Sequence, residues 1–405
     1  MNVLYISYDG MTDNLGQSQV IPYLKGLTGY GHHFDIISCE KPDKFKAKEA
    51  EIRKLLDSLN IGWYPLPYTK RPPVLSSVLD VVRMYRKAYS LHRENKYDAV
   101  HCRSYLSAMI GQDMKKKFGT QFIFDMRGFW PDERIDGDLW NIKNPVYRII
   151  YNYFKKKELQ FFNESDLNIS LTHAGLNEIK KMSVSSEQIN KFSIIPCCSD
   201  YDLFKPLPRD IALLRQLGFE ESNKILCYLG SIGTWYMFDE MMAMFKQLNI
   251  QDNSFRLLIM TPEPPSMVYD SAKKLGINSD FIKVVSATRQ QVPQYLSIAH
   301  LGISFIKPCF SKLSSSPTKM GEMLAAGVPL ICNSGVGDVE RIINETKTGV
   351  VIHGFTEDEM QSVAIKAIEL IQIPRENIRE QSRSVFALES GVKLYAQAYD
   401  KMQKQ

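Results

Sequence analysis

The segment FIKPCFSKLSSSPTKMGEMLAAGVPLICNSGVGDVER, residues 305–341, decides how this chain is read. It alternates in the order strand, loop, helix, strand, loop, helix. The apolar run Leu301 to Ile306 enters a serine-rich loop, Cys309 to Pro317. Proline suits the first turn of a helix, where its missing N–H would lack an intrahelical partner anyway, and a serine before it suits the cap. A helix is therefore expected to start at Pro317, capped by Ser316. Its free N–H groups and the positive end of its dipole face the serine-rich loop, a combination that binds phosphate. Lys319 adds a full charge, and Thr318 and Ser316 add neutral donors. One turn further, Glu322 projects from the same end. A carboxylate repels phosphate unless it serves another part of the ligand, and the hydroxyl pair of a nucleotide ribose meets that requirement. Ala325, Ala326 and Gly327 then allow close packing before Val328 to Cys332 forms the next strand, followed by the turn Gly335 to Asp338.

From Glu322 the sequence Glu-Met-Leu-Ala-Ala-Gly-Val-Pro-Leu-Ile resembles the donor-site signature of family-4 glycosyltransferases. The resemblance implies an α/β chain of GT-B architecture: two Rossmann-like parallel-sheet domains facing a cleft, with the C-terminal helix crossing back to the N-terminal domain. It further implies that Glu322 binds the ribose of a nucleotide-diphosphate sugar and that the turn before it holds the diphosphate. The sequence also departs from the family. Where the family has a second glutamate near the donor sugar, eight positions earlier, this chain has Ser314, which is kept as a donor-side residue without that role.

Composition sets outer bounds. A chain of 405 residues exceeds one ordinary domain, so two are expected: 1–198 with the returning helix 388–405, and 199–387. Charged residues at 23% and apolar residues at 44% fit a globular protein with sizeable cores. The net charge of +5, without an arginine-rich stripe, argues against a nucleic-acid partner. No apolar stretch reaches the roughly 20 residues that span a bilayer. The start of the chain reads as a first strand and not as a signal peptide, lacking a basic region and a small-residue cleavage site. Seven cysteines without regular spacing suggest a reducing compartment and no metal site. The expected location is cytoplasmic, with peripheral contact at the inner face of a membrane as an option: the helix expected over residues 144–163 is basic and aromatic, although a core-facing helix with a solvated lysine edge is the favoured reading.

In the first half, strands are expected at Asn2–Ser7, Phe34–Cys39, Asp98–Cys102, Gln121–Asp125, Leu167–Leu171 and Phe192–Pro196. Ligands of such sheets bind beyond the carboxyl ends of the strands. The loop after the first strand, Asp9 to Gln19, is not a dinucleotide fingerprint; it places Gly16 on the donor side and Gln17 on the acceptor side. His101 and Arg103 end another strand and are acceptor candidates. Asp125-Met-Arg-Gly-Phe-Trp-Pro-Asp-Glu-Arg134 crowds ionisable groups and two aromatics past a strand end. Aromatic faces cover sugar C–H patches, while carboxylates and arginine bond hydroxyls. The stretch resembles a subgroup of the family. Arg127, Asp132 and Glu133 are taken as catalytic candidates, and Arg127 and Trp130 as acceptor contacts.

In the second half, the strand Ile225–Leu229 leads into Gly230-Ser-Ile-Gly-Thr-Trp-Tyr236, where Gly233 and Thr234 face the donor. Many relatives carry an arginine and a lysine there; this loop has neither, so Lys319 is assigned their work on the leaving diphosphate and a place among the catalytic residues. Ile282 to Arg289 resembles the segment that reads the base, which puts Ser286 at the donor. The resemblance implies transfer of a hexosyl group from a nucleotide sugar to a glycan or lipid-linked acceptor in bacterial polysaccharide biosynthesis, with retention of configuration, no cofactor and no metal. Rivals are a nucleotide-sugar epimerase of the same fold and an inactive nucleotide-sugar-binding scaffold.

Overall fold

The computed structural model describes residues 1–72 and 74–404. Two units emerge, one of residues 1–196 with 391–405 and one of residues 197–390. Each is a parallel sheet with helices on its faces, as the alternation of strand and helix signals demands.

In the first unit the strands are β1 (Asn2–Ser7), β2 (His33–Glu40), β3 (Gly62–Pro67), β4 (Ala99–Arg103), β5 (Gln121–Asp125), β6 (Leu167–Ser170) and β7 (Phe192–Ile194). Their order across the sheet is β3-β2-β1-β4-β5-β6-β7. The order reverses between β1 and β4, so the loops after those two strands diverge and leave a crevice at their carboxyl ends. β3 carries Pro65 and Pro67 and is an edge strand, where a missing ladder donor is tolerated. Leu4, Ile6, Val100, Phe122 and Phe124 are fully buried, because a parallel sheet is covered on both faces.

The loop after β1 is built around Glu40 at the end of β2. Its buried carboxylate accepts from the backbone N–H of Met11 (2.7 Å) and of Thr12 (3.1 Å), and from the hydroxyls of Thr12 and Ser38. Gly16 lies against the same loop, where a Cβ would sit 2.3 Å from the Gly10 carbonyl oxygen. Glu40→Ala should therefore strand several buried donors and lower stability by about 3 kcal/mol, read as the urea midpoint. An unchanged midpoint would mean that the loop is held by other contacts.

The second unit contains β8 (Lys224–Leu229), β9 (Phe255–Met260), β10 (Ile282–Val285), β11 (Leu301–Ser304), β12 (Leu330–Asn333) and β13 (Gly349–Ile352), in the order β10-β9-β8-β11-β12-β13. Here the reversal falls between β8 and β11. The decisive segment thus occupies the switch point of its sheet. Asn333 at the end of β12 extends the ladder with its side chain: Oδ1 accepts from Ile306 N–H and Nδ2 donates to the Ile306 carbonyl, both at 2.8 Å. That side-chain clamp fixes where the loop after β11 leaves the sheet.

The final helix, Leu388–Gln403, belongs from Gly391 onward to the first unit. It is anchored by two tyrosines. Tyr395 Oη donates to Asp125 Oδ2 at 3.0 Å, and Tyr399 Oη lies 2.6 Å from His101 Nδ1.

Candidate active site

In the second unit the helix starts one residue later than the sequence suggests. It spans Thr318–Ala325, with Pro317 itself in the extended cap position at φ −70° and ψ 109°. Ser316 does not cap it, since its Oγ accepts from the backbone N–H of Cys197 at 3.0 Å. That bond ties the connecting segment to the loop, with Ser316 as acceptor. Ser314 is withdrawn: it is fully buried in the short 3-10 turn Phe310–Ser314, and its hydroxyl donates to the Ser311 carbonyl at 3.0 Å.

Glu322 and Lys319 stand at the same end of this helix. Glu322 is 7% exposed, and its Oε1 accepts from Arg289 Nη1 at 2.6 Å. Burial pushes its carboxyl above the ordinary range, with Arg289 and Lys319 pulling back. Arg289 follows β10 and rests over the Phe204 ring, 5.0 Å from its centroid. Lys319 points at the loop after β8. A Cβ at Gly230 would stand 2.9 Å from Lys319 Nζ and 2.8 Å from Tyr228 Oη, so only glycine lets the lysine approach this backbone. Gly230→Ala should displace that ammonium and weaken nucleotide binding by about 1–3 kcal/mol, as checked by titration calorimetry. An unaltered affinity would place the anion away from Gly230.

Gly233 has a left-handed φ of +127° with open space where a side chain would be, so the turn requires glycine for its backbone alone. Thr234 and Ser286 are exposed at the same carboxyl-end rim as Glu322. The loops along this rim are mutually bonded. Lys307 N–H donates to the Trp235 carbonyl at 2.9 Å, and Gly337 N–H donates to the Lys312 carbonyl at 2.9 Å. Lys312 is a residue that sequence reasoning missed. It is 7% exposed, with its ammonium 3.7 Å from the centroid of the Trp235 ring. The arrangement supplies a second cation beside the glycine loop; a lysine seven positions before Lys319 in a serine-rich loop carries no sequence signal of such packing.

In the first unit the crowded strand ends separate into two groups. Asp125, His101 and Arg127 meet at the ends of β4 and β5, with Arg127 Nη1 3.6 Å from Asp125 Oδ1 and His101 Nε2 3.4 Å from Asp125 Oδ2. Arg103 Nε lies 3.3 Å from Asp9 Oδ2, next to the same switch point. Arg127 (φ +57°) and Ser104 (φ +69°) both hold left-handed backbone conformations. Such strain in residues other than glycine collects at functional sites. Arg127 and Arg103 both lie at these strand ends. His101 is 1% exposed with both ring nitrogens engaged, and burial lowers its pKa; it fastens the last helix.

Asp132 and Phe129 are placed differently from the expectation. Asp132 Oδ1 accepts from Tyr151 Oη at 2.9 Å and Oδ2 from Lys155 Nζ at 2.8 Å, in a network continuing to Glu158 and Tyr105. A carboxylate so occupied holds two helices together. Phe129 is 1% exposed in the core, and Trp130 packs edge-on against Trp140 and Phe154 at 5.3 and 4.9 Å. Phe129 is too deeply buried to serve as a sugar platform, whereas Trp130 is half-buried. Glu133 is half-buried on the same short helix, Trp130–Asp136. Gln17 is spent on its own loop: Nε2 donates to the Thr12 carbonyl at 2.9 Å, and Oε1 accepts from Lys48 at 3.2 Å.

Burial raises the Asp125 carboxyl, but Arg127, His101 and Arg103 outweigh it and hold the group at about 2, below its ordinary 3.8. A depressed carboxylate stabilises the fold above its unfolded pKa and loses that contribution as pH falls through the folded value. About 2 kcal/mol should disappear between pH 4 and about pH 2. Thermal unfolding of Asp125→Asn should lack this component of the acid limb; identical limbs in the two proteins would assign it to other carboxylates.

No helix among the described residues is long and apolar enough to cross a membrane. Comparison with known proteins agrees with the geometry. Residues 19–203 match the family model described as Glycosyltransferase Family 4, and residues 211–385 match that described as Glycosyl transferases group 1. No curated protein sequence matches the chain. Among solved structures, a sucrose-phosphate synthase from Thermosynechococcus elongatus is similar at a TM-score of 0.74 and 14% identity, covering 100% of this chain and 99% of that one. Anabaena HepE in complex with UDP gives 0.73 and 13%, with 100% of both chains covered. WaaG, described as a glycosyltransferase involved in lipopolysaccharide biosynthesis, gives 0.67 and 16%, covering 97% and 98%. With both of its parallel-sheet units matched by glycosyltransferase models and its fold shared over the full length of these proteins, the chain belongs to the family-4 glycosyltransferases of GT-B fold.

Proposed function

We propose that the protein transfers a sugar from a nucleotide-diphosphate donor to a lipid-linked or surface-glycan acceptor, with retention of configuration and without a metal or further cofactor. The observation that carries this reading is the pairing of Glu322, buried one turn inside a helix, with Lys319 against the Gly230 backbone at the same helix end. A buried carboxylate and an ammonium at that spacing suit ribose hydroxyls and a diphosphate. In the reaction the bond from the anomeric carbon to the diphosphate breaks and a bond to an acceptor oxygen forms, the acceptor proton leaving with the nucleotide product. Lys319 and the N–H groups of Thr318 onward meet the charge that develops on the diphosphate. Arg127, Arg103 and the half-buried Trp130 are the acceptor-side groups that this reading keeps.

HepE has been crystallised with UDP and with UDP-glucose, so uridine nucleotides are the first donors to test. The protein should be incubated with labelled nucleotide sugars and a bacterial lipid extract, with and without a chelator. Chelator-resistant transfer of label to lipid supports the proposal. Appearance of an epimerised nucleotide sugar would favour the epimerase reading, and binding without turnover the scaffold. The nucleotide-sugar requirement supports a cytoplasmic location.

A further inference from the structure

Arg289 stands in the loop after β10, just ahead of the helix Val292–Ser297. That helix and the helix Thr318–Ala325 pack into one core, through Val292 and Leu296 on the first and Met320, Met323 and Leu324 on the second. The packing brings the guanidinium to a carboxylate 33 positions away, Arg289 Nη1 donating to Glu322 Oε1 at 2.6 Å. The same guanidinium lies over the fully buried Phe204 ring, 5.0 Å from its centroid. Arg379 in turn fastens Phe204 to the helix of Glu322: its Nη1 donates to the Phe204 carbonyl at 3.2 Å and to the Ala325 carbonyl at 2.8 Å. The turn that carries Arg289 is closed by Gln291, whose Oε1 accepts from the Thr288 N–H and hydroxyl, both at 2.9 Å. Arg289 is therefore held by its turn, by an aromatic ring and by a carboxylate. An exposed ion pair contributes little, but here the side chains are only 25% and 10% exposed.

A buried carboxylate without a partner gives up its charge, and a protonated carboxyl turns one of its acceptors into a donor. Burial does push the Glu322 carboxyl up, and Arg289 is the first of the charges that pull it back, ahead of Lys319. Lys319 itself points at the loop after β8, so Arg289 is the cation that fixes this carboxylate. The pairing still leaves room for a ligand. An ionised carboxylate offers about four lone-pair sites, and a vicinal diol fills two of them. Among the described residues no donor reaches Oε2, and that oxygen is not sealed in the interior. Arg289 takes one site on Oε1; Oε2 and the second site on Oε1 stay open to two neighbouring hydroxyls.

We propose that Arg289 is a positioning residue for the donor: by fixing Glu322 it makes the site select a ribonucleotide, with both hydroxyls of its sugar, over a 2′-deoxyribonucleotide. The proposal rests on the assignment of Glu322 to the ribose diol, and the two fail differently. Calorimetric titration of UDP and of 2′-deoxy-UDP into the whole protein separates them. The parent should bind UDP about tenfold or more tightly than 2′-deoxy-UDP, the loss of one charge-assisted hydrogen bond. Arg289→Ala should narrow that ratio to about threefold or less, by weakening UDP more than the deoxy compound. Arg289→Gln, which keeps part of the stem and a neutral donor, carries the same expectation should the alanine variant not fold, and Arg289→Lys should restore part of the ratio. In Glu322→Gln the ratio should already be narrow, and adding Arg289→Ala should change either affinity by less than about threefold, because the two residues act as one unit. A parental ratio in the folded Arg289 variants would overturn the proposal and leave the ribose assignment standing, as would losses that multiply in the double variant. A parent protein that does not distinguish the two nucleotides would remove the ribose assignment itself, and the proposal with it.

Discussion

Replacing Glu322 by alanine should weaken nucleotide-sugar binding by about 30- to 700-fold, the equivalent of about 2–4 kcal/mol for two charge-assisted hydrogen bonds to a ribose diol. The structure adds a reason for an effect at the upper end. Glu322 is buried and held by Arg289 at 2.6 Å, so its removal also leaves a guanidinium without its carboxylate partner. Glu322→Gln separates the two contributions, since it keeps the shape and one acceptor oxygen while losing the charge; its loss should be smaller. The pH dependence has a definite sign. Because burial raises the Glu322 pKa, the diol-binding carboxylate should be lost on acidification at a higher pH than an ordinary glutamate would be. Titration of a uridine diphosphate into parent and variant proteins reads all three effects. Equal affinities in parent and Glu322→Ala would dismiss the ribose assignment.

Lys319→Ala should lower turnover by two to three orders of magnitude, about 3–4 kcal/mol of transition-state stabilisation, with a smaller loss of donor affinity. A first-turn cation opposes the helix dipole, so its place is favourable only with an anion beside it. The ammonium instead lies against the Gly230 backbone and 5.4 Å from the centroid of the Tyr236 ring, facing the loop that lacks the usual arginine and lysine. Arginine at 319 should restore only part of the rate, because a planar guanidinium does not fit beside a glycine chosen for a compact head group. Lys312 provides the internal comparison. Its charge is partly committed to the Trp235 ring, so Lys312→Ala should cost less than Lys319→Ala. Normal turnover of Lys319→Ala at saturating donor would place the stabilisation of the leaving group elsewhere.

What the sequence by itself determined is the part written in local chemistry. Apolar runs ending in polar residues marked most strands of both sheets, and the proline, lysine and glutamate around residue 320 marked a helix end suited to a nucleotide. These signals survive because a helix start and a parallel strand impose their residue preferences within a few positions. β3 was not visible, since Pro65 and Pro67 argue against a strand until the sheet edge is known, and Phe255–Met260 is an apolar run that periodicity alone does not separate from a helix. Tertiary structure alone decided which polar side chains were already occupied. Ser316 looked like a cap and bonds Cys197; Asp132 looked like a base and holds Lys155; His101 looked like a ligand contact and fastens Tyr399. Their partners lie from 23 to 298 positions away in the chain, and a buried polar atom takes whichever partner the fold brings within reach.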